Sequence, residues 1–449
     1  MLPSNPQAAG IGLASGEESQ ELLRSPSAPT PGTGAHLALG AFALVVSLFF
    51  LWGVANNLND ILIKQFKKAF ELSDFQAGLV QSAFYLGYFV LAIPAGICTR
   101  RFGYKGALLI GLGLYAVGAL LFYPAALAHT YGLFLAALFI IASGLAFLET
   151  SANPLVTVLG PESGATRRLN LAQSFNPLGS ITGVLIGQNF ILSGVELSPE
   201  RLASMTSAAR HAYFVSESAA VAKPYLVIAF VVALWGVLIA SARFPAMTAA
   251  IEPVRNQFRS HPLLGNWNFL LAVTAQFFYV GAQVGVWSYL IRYAQATVPG
   301  TPEKAAANYL TVSLLAFLAG RFAGTGLMRY IAPARLLAAF AIINILLSTT
   351  AIVHPGSVGI GALVVMSFFM SVMFPTIFSL GLGGLDDRDR KLASSFLVMA
   401  IIGGAVLTAV MGAVSDVAGI ARAMGVPTLC FAVVLVFAVR SFRARVIAS

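Results

Sequence analysis

Two acidic side chains lie within apolar stretches long enough to cross a membrane. Asp60 belongs to the run FFLWGVANNLNDILI, and Glu149 lies in FLETSANPL. A charged side chain at the centre of a bilayer costs about 2.5 to 3.5 kcal/mol on insertion scales, and such residues mark ion or substrate pathways. A carboxyl group withdrawn from water favours its neutral form. Asp60 and Glu149 are therefore predicted to take up a proton on one side of a membrane and release it on the other.

Amide side chains accompany both acids at helical spacing. Asn56 lies one turn before Asp60 with Asn57 beside it, and Asn153 lies one turn after Glu149. Each amide–acid pair therefore shares a helix face. We expect these amides to contact a substrate near the two proton-coupling acids. The alternative is that each acid is a neutralised or hydrogen-bonded group in helix packing.

Two further helices carry stripes of uncharged polar residues. Gln173 and Asn176 are three residues apart, and Gln276, Tyr279 and Gln283 recur every three or four residues. Amides both donate and accept hydrogen bonds, and aromatic rings pack on the apolar faces of ligands. Side chains of this kind, without fixed charge, suit a neutral polyhydroxylated ligand. The alternative for each amide is a hydrogen bond between helices, worth about 0.6 kcal/mol.

Two tryptophans and one asparagine complete the candidate binding set. Trp52 lies on the first helix, Trp287 one turn after Gln283, and Asn308 at the start of the eighth helix. The tryptophans have an alternative role as anchors at the membrane–water interface. The five histidines lie in tails or loops, and the sequence lacks a zinc pattern, a Walker motif and a nucleophile elbow. Neither an enzyme, a metal site nor a cofactor is predicted, and the coupling ion would be the proton.

The composition is that of an integral membrane protein. Of the 449 residues, 58% are hydrophobic and 10% are charged, whereas soluble domains carry about 25% charged residues. The net charge of +10 is explained by basic cytoplasmic loops, so no nucleic-acid partner is expected. The expected partners are a monosaccharide and the lipid bilayer, and the protein is expected to function as a monomer.

About twelve apolar stretches are long enough to span a bilayer, at roughly 20 residues each. The predicted fold is therefore all-α. With the N-terminus inside, cytoplasmic segments carry 17 Lys and Arg residues against 9 in external segments. This bias predicts that both termini are cytoplasmic, although three lysines after the first helix oppose it. The predicted spans are 37–63, 77–99, 106–127, 132–158, 169–193, 224–245, 265–294, 305–329, 335–353, 357–383, 392–415 and 425–442.

The second half of the chain repeats the first at a constant offset of 221 residues. A repeat of six helices in the same sense implies two bundles related by an axis along the membrane normal. The predicted organisation is a disordered cytoplasmic tail (1–36), an N-terminal bundle (37–245), a cytoplasmic linker (246–262) and a C-terminal bundle with a short tail (263–449). The matched positions are Pro154, Gly160, Leu171, Ala172, Ser174, Phe175 and Gly183 with Pro375, Gly381, Leu392, Ala393, Ser395, Phe396 and Gly404.

Several long motifs carry a family resemblance, among them FFLWGVANNLNDIL, FQAGLVQSAFYLGYF, LETSANPLVTVLGPES, RLNLAQSFN and WSYLIRYA. They resemble the L-fucose/proton symporter branch of the fucose–galactose–glucose symporter family, within the major facilitator superfamily. The resemblance runs from about residue 40 to the C-terminus, without the external loop 195–222 and the linker. It implies two bundles that rock about a central sugar site. Asp60 and Glu149 match the two essential membrane acids of the family, and Gln173 and Asn176 match its polar pair.

The resemblance also implies a function. The retained Glu149 is typical of the fucose-like branch, and a proton-coupled symporter of a neutral monosaccharide, L-fucose or a related hexose, is expected in a bacterial inner membrane. Met373 and Phe374 stand where that branch has glutamine and tyrosine, and Pro177 replaces a usual serine, so the hexose stays open. The alternatives are a passive facilitator or exchanger, symport of galactose, glucose or N-acetylglucosamine, and a sugar sensor without flux.

Overall fold

The computed structural model describes residues 31–72, 74–191, 199–242, 244 and 262–448, and within these ranges the regular structure is helical. Nine helical segments of the described residues are long and apolar enough to cross a membrane, and the first of them, Leu79–Leu127, contains two spans. Two more spans, the first and the fifth, are more polar. These two carry much of the candidate site, which explains why their composition departs from that of the others.

Twelve spans follow one another in the described residues. Spans 2 and 3 form one helix by hydrogen bonding, broken at Gly103, where φ is 71° and ψ is 174°. Most bounds agree with the predicted spans to within a few residues. The spans are Pro31–Ala69 (span 1), Asp74–Leu120 (spans 2 and 3), Tyr131–Val158 (span 4), Ala165–Gln173 with Phe175–Ile186 (span 5), Ala222–Ser241 (span 6), Trp267–Thr297 (span 7), Glu303–Leu327 (span 8), Pro333–Val353 (span 9), Ser357–Met370 with Met373–Leu382 (span 10), Asp387–Met399 with Gly403–Ala418 (span 11) and Gly425–Ala448 (span 12).

Span 1 is longer than predicted at both ends. It begins at Pro31, inside the predicted tail, because proline is well tolerated in the first turn of a helix. It extends to Ala69 because its last turns find partners outside the bilayer. The side chain of Gln65 donates to the carboxylate of Glu217 at 2.8 Å, and Lys68 forms an ion pair with the same carboxylate at 2.9 Å. The ion pair gives one of the three dissenting lysines a structural role.

The predicted external loop 195–222 is partly helical. It contains the short helix Pro199–Ser204 and the helix Ser207–Ala219, which we call the external helix. Thr206 caps the external helix by accepting a hydrogen bond from the backbone N–H of Ala209. The predicted tail up to residue 30 and the linker up to residue 261 lie outside the described residues.

Glycines bring equivalent spans together in the two bundles. A Cβ atom on Gly179 of span 5 would lie 2.0 Å from the carbonyl oxygen of Phe50 in span 1. A Cβ atom on Gly403 of span 11 would lie 2.1 Å from the carbonyl oxygen of Phe277 in span 7. Small residues allow the backbones of membrane helices to approach this closely. The span 1–span 5 and span 7–span 11 crossings are therefore counterparts, in agreement with the repeat in the sequence.

The two bundles contact each other at the end of the molecule where spans 4 and 5 and spans 10 and 11 are joined. The hydroxyls of Thr166 and Ser379 are 2.9 Å apart, and Ser394 donates to the carbonyl oxygen of Thr150 at 2.8 Å. The hydroxyl of Tyr104 donates to the carboxylate of Asp387 at 3.2 Å. These contacts close the molecule on the side that the charge bias predicts to be cytoplasmic.

Candidate functional site

Glu149 is a buried acid in the middle of the N-terminal bundle. It lies on span 4, and its side chain is 4% exposed. Its polar neighbours are the hydroxyl of Tyr88 from span 2 and the side-chain amide of Asn153, one turn further along span 4. A phenol and an amide can each donate to a carboxylate or accept from a protonated acid. Both protonation states of Glu149 therefore find hydrogen-bond partners at this site.

A row of side chains connects Glu149 to the C-terminal bundle. The side chain of Gln173, on span 5, donates from Nε2 to Oδ1 of Asn153 at 2.9 Å. The guanidinium of Arg321, on span 8, donates to the side-chain oxygen of Gln173 at 3.1 Å and to its backbone oxygen at 3.2 Å. We call Glu149, Asn153, Gln173 and Arg321 the polar row. It joins three of the predicted site residues and crosses the interface between the bundles.

Arg321 is a member of the polar row that the sequence did not assign to the site. Its side chain is 4% exposed, and the guanidinium lies 4.9 Å from the ring centroid of Phe317. An arginine within a membrane helix is costly and marks a functional position by default. This location inside a predicted span was the available signal. Its partner Gln173 is 148 residues away in sequence, so local spacing could not connect the two.

The other predicted residues of the N-terminal bundle lie along span 1 and span 5. Asn176 donates from Nδ2 to the backbone oxygen of Phe49 at 3.3 Å, so it braces the crossing of these spans. Trp52 is buried against the ring of Phe49, with 4.5 Å between centroids. The side chain of Asn56 is half-buried, and its Oδ1 lacks a hydrogen-bond partner. The backbones of Asn57 and Asp60 are helical, and their side chains lie outside the described part of the structure.

The predicted residues of span 7 fall into two groups. The hydroxyl of Tyr279 donates to the backbone oxygen of Met370 at 2.9 Å, and Gln276 is fully buried with both amide atoms unpartnered. Further along, Trp287 donates to the hydroxyl of Ser367 at 3.0 Å and is half-buried, as is Gln283. Trp287 therefore lies between helices, and its indole is not free to anchor the protein at the membrane surface.

The remaining positions clarify the boundaries of the site. Asn308 is exposed near the start of span 8, and no contact joins it to the polar row. Met373 is fully buried, and Phe374 packs edge-on against the ring of Tyr279 at 6.4 Å. The two departures from the fucose-like motif therefore lie beside the span 7 aromatic residue that was expected to contact sugar.

A separate cleft of about 280 Å³ lies between the bundles on the predicted cytoplasmic side. Its lining includes Thr166, Ser379, Glu162 and Arg390. None of the predicted sugar-binding residues lines it. The cleft is therefore a gap beside the contact between the bundles and not the candidate substrate site.

Comparison with known proteins identifies the family. The model of the Major Facilitator Superfamily matches residues 37–408. The L-fucose-proton symporter of Escherichia coli strain K12 is 50% identical over 413 residues, covering 88% of this chain and 92% of the relative. The Glucose/galactose transporter of Brucella abortus is 36% identical over 393 residues, covering 87% of this chain and 92% of the relative.

A solved structure shares the fold along nearly the whole chain. The crystal structure of the transporter FucP in the outward conformation has a TM-score of 0.82 and 50% sequence identity, and the match covers 89% of this chain and 98% of FucP. The protein is therefore a multi-pass membrane transporter of the major facilitator superfamily and belongs to its L-fucose/proton symporter branch.

Proposed function

We propose that the protein imports a neutral monosaccharide, L-fucose or a related hexose, together with a proton. The observation that carries this proposal is the buried Glu149, held by neutral groups and joined through Asn153 and Gln173 to the opposite bundle. This arrangement occurs in a chain that is 50% identical to a protein named as an L-fucose-proton symporter. No cofactor takes part, and the proton is the coupling ion.

The transport cycle follows from the positions of these groups. With the cytoplasmic side closed, protons from outside reach Asp60 and Glu149, and the sugar hydroxyls pair with amides of spans 1, 5 and 7. Protonation removes buried negative charge, so the occluded state does not contain an unpaired carboxylate. The bundles then rock, the cytoplasmic contacts separate, and sugar and proton leave on that side. The proposed location is a bacterial inner membrane with both termini in the cytoplasm and a monomer as the functional unit.

Uptake into proteoliposomes tests the proton step. Purified protein is expected to accumulate L-fucose when the outside is acidic and to equilibrate it without a gradient. Glu149→Gln mimics the protonated acid, so it is expected to abolish accumulation and retain sugar exchange between the two sides. Accumulation that is indifferent to the pH gradient would favour a passive facilitator. Unchanged accumulation in both Asp60→Asn and Glu149→Gln would remove these acids from the mechanism.

The identity of the hexose is tested by competition. L-fucose is expected to compete best against labelled L-fucose exchange, ahead of galactose, glucose, mannose and N-acetylglucosamine. The double substitution Met373→Gln with Phe374→Tyr restores the polar pair of the fucose-like motif beside Tyr279. It is expected to strengthen L-fucose binding relative to glucose. A panel in which galactose or glucose competes best would assign the protein to that sugar while leaving symport intact.

A further inference from the structure

The donors of the polar row all point the same way. Arg321 donates to Oε1 of Gln173, and Gln173 donates from Nε2 to Oδ1 of Asn153. Nδ2 of Asn153 makes no other hydrogen bond, and the amide of Asn153 lies beside the carboxyl group of Glu149. The row therefore runs from a group that only donates, the guanidinium, to a group that only accepts when ionised, the carboxylate.

The direction of the row depends on the charge of Glu149. A carboxylate accepts from Asn153, and a hydrogen bond to an ionised group is roughly twice as strong as one between neutral groups. A protonated Glu149 weakens that bond and has a proton of its own to donate. The Oδ1 atom of Asn153 can accept that proton only if the Asn153 amide reorients, and reorientation breaks the bond from Gln173. Protonation thus loosens the row from the Glu149 end.

The other end of the row spans the two bundles. Within the described residues, the hydrogen bonds of Arg321 go to Gln173 alone, and its Nε atom has no partner. Separation of the bundles would leave a buried cation without its acceptors, which is strongly unfavourable. The contact between Arg321 and Gln173 therefore stabilises the arrangement that is closed on the cytoplasmic side.

The groups around the two ends are mostly neutral. Glu149 faces Tyr88 from span 2 and Asn153 from its own span, while Arg321 faces Phe317, Tyr279 of span 7 and Gln173 of span 5. The side chain of Asp60 lies outside the described residues. Because the described neighbours carry no second fixed charge, a change at Glu149 is not masked by a charge beside either end.

We propose that Arg321 is a positioning residue that senses the protonation state of Glu149 through Asn153 and Gln173. While Glu149 is ionised, the row holds the bundles together on the cytoplasmic side, and protonation of Glu149 releases that hold. The inference rests on the proposed symport and specifies how the proton reaches the gate. It also assigns a role to Gln173 besides sugar contact.

The distance between the cytoplasmic ends of the bundles tests this proposal. Spin labels are attached to Ser163→Cys and Tyr330→Cys, two exposed positions on opposite bundles, in a chain whose Cys98 and Cys430 are replaced by alanine. The fraction of separated ends is measured by electron–electron double resonance between pH 5 and 8.5, without sugar. The unsubstituted polar row is expected to show separation that increases as the pH falls. Glu149→Gln is expected to be separated at every pH.

Two substitutions in the row have opposite expected effects. Arg321→Gln removes the cation, so the ends should be separated at every pH, with the pH response reduced at least fivefold. Gln173→Glu places a carboxylate against Arg321 but can no longer donate to Asn153. Its ends should remain close at every pH. Arg321→Lys keeps the charge without the forked geometry, and it should restore part of the closed population.

A simple structural brace predicts a different pattern. It predicts that Arg321→Gln and Gln173→Glu both loosen the bundles and leave the pH response of Glu149 in place, and this outcome would overturn the proposal. Size-exclusion profiles identify variants that fail to fold, and Arg321→Lys then supplies the pH comparison. Because the distances are measured without sugar, proton-dependent uptake by the wild-type protein remains a separate test of the proposed function.

Discussion

Replacement of Gly179 by alanine is expected to separate the two polar spans of the N-terminal bundle. A Cβ atom at this position would lie 2.0 Å from the carbonyl oxygen of Phe50, whereas ordinary contact begins at 3.4 Å. Spans 1 and 5 must therefore move apart by about 1.4 Å, because a backbone oxygen cannot rotate away as a side chain can. Overpacking of this kind costs about 1 to 3 kcal/mol. A shift of this size also exceeds the placement that a binding site tolerates, about 0.5 Å.

The assay combines thermal stability in detergent with L-fucose exchange in proteoliposomes. Gly179→Ala should lower the melting temperature and reduce exchange about tenfold or more. Gly113→Ala is the matched control, because Gly113 is exposed on span 3 with nothing within 4 Å of a new Cβ atom. Alanine is favoured over glycine in helices by about 1 kcal/mol, so this control should be as stable as the wild type or more so. Equal stability and exchange in the two variants would refute the close approach of spans 1 and 5.

Three further outcomes are expected. Ser367→Ala removes the acceptor of the Trp287 indole, which is worth about 0.6 kcal/mol; the KM of sugar exchange should rise about threefold, and an unchanged KM would separate this tryptophan from the site. Burial, and then a neighbouring histidine, lower the pKa of His129 from 6.5. Folding therefore favours its neutral ring, and the stabilisation is lost as the pH falls below about 6.5. Proteolysis of the external helix should accelerate between pH 7.5 and 5.5, less so in His129→Asn, and an equal acceleration in both would contradict this. Asp387→Asn weakens the contact with Tyr104, so labels on the cytoplasmic ends should separate more at neutral pH; an unchanged distance would exclude this contact from the gate.

The sequence predicted the parts of the site that helical periodicity determines. Glu149 and Asn153 were expected on one face of span 4, and the structure brings both together with Gln173. The spans were found because about 20 apolar residues are needed to cross a bilayer. The repeat was visible because closely packed helices restrict particular positions to glycine, as at Gly183 and Gly404, which face valines of spans 1 and 7.

Other features depend on contacts between distant segments. The external helix was read as a loop because its sequence is polar and short, and its position follows from the buried Glu217, which accepts from Gln65. Asn176 was expected to face sugar, yet its amide is used to hold span 1. A spacing rule identifies which residues share a helix face but not which neighbouring helix that face meets.

The distribution of charge between the bundles explains why the halves, although repeated, have different roles. The N-terminal bundle supplies Glu149 and the amides, whereas the C-terminal bundle supplies Arg321 and aromatic rings. A symmetric pair of acids would repel across the interface, and a symmetric pair of cations would do the same. One acid and one cation, separated by two amides, can instead attract weakly when the acid is ionised and release when it is protonated. The interaction is then strong enough to favour one state and weak enough to be reversed by a single proton, as alternating access requires.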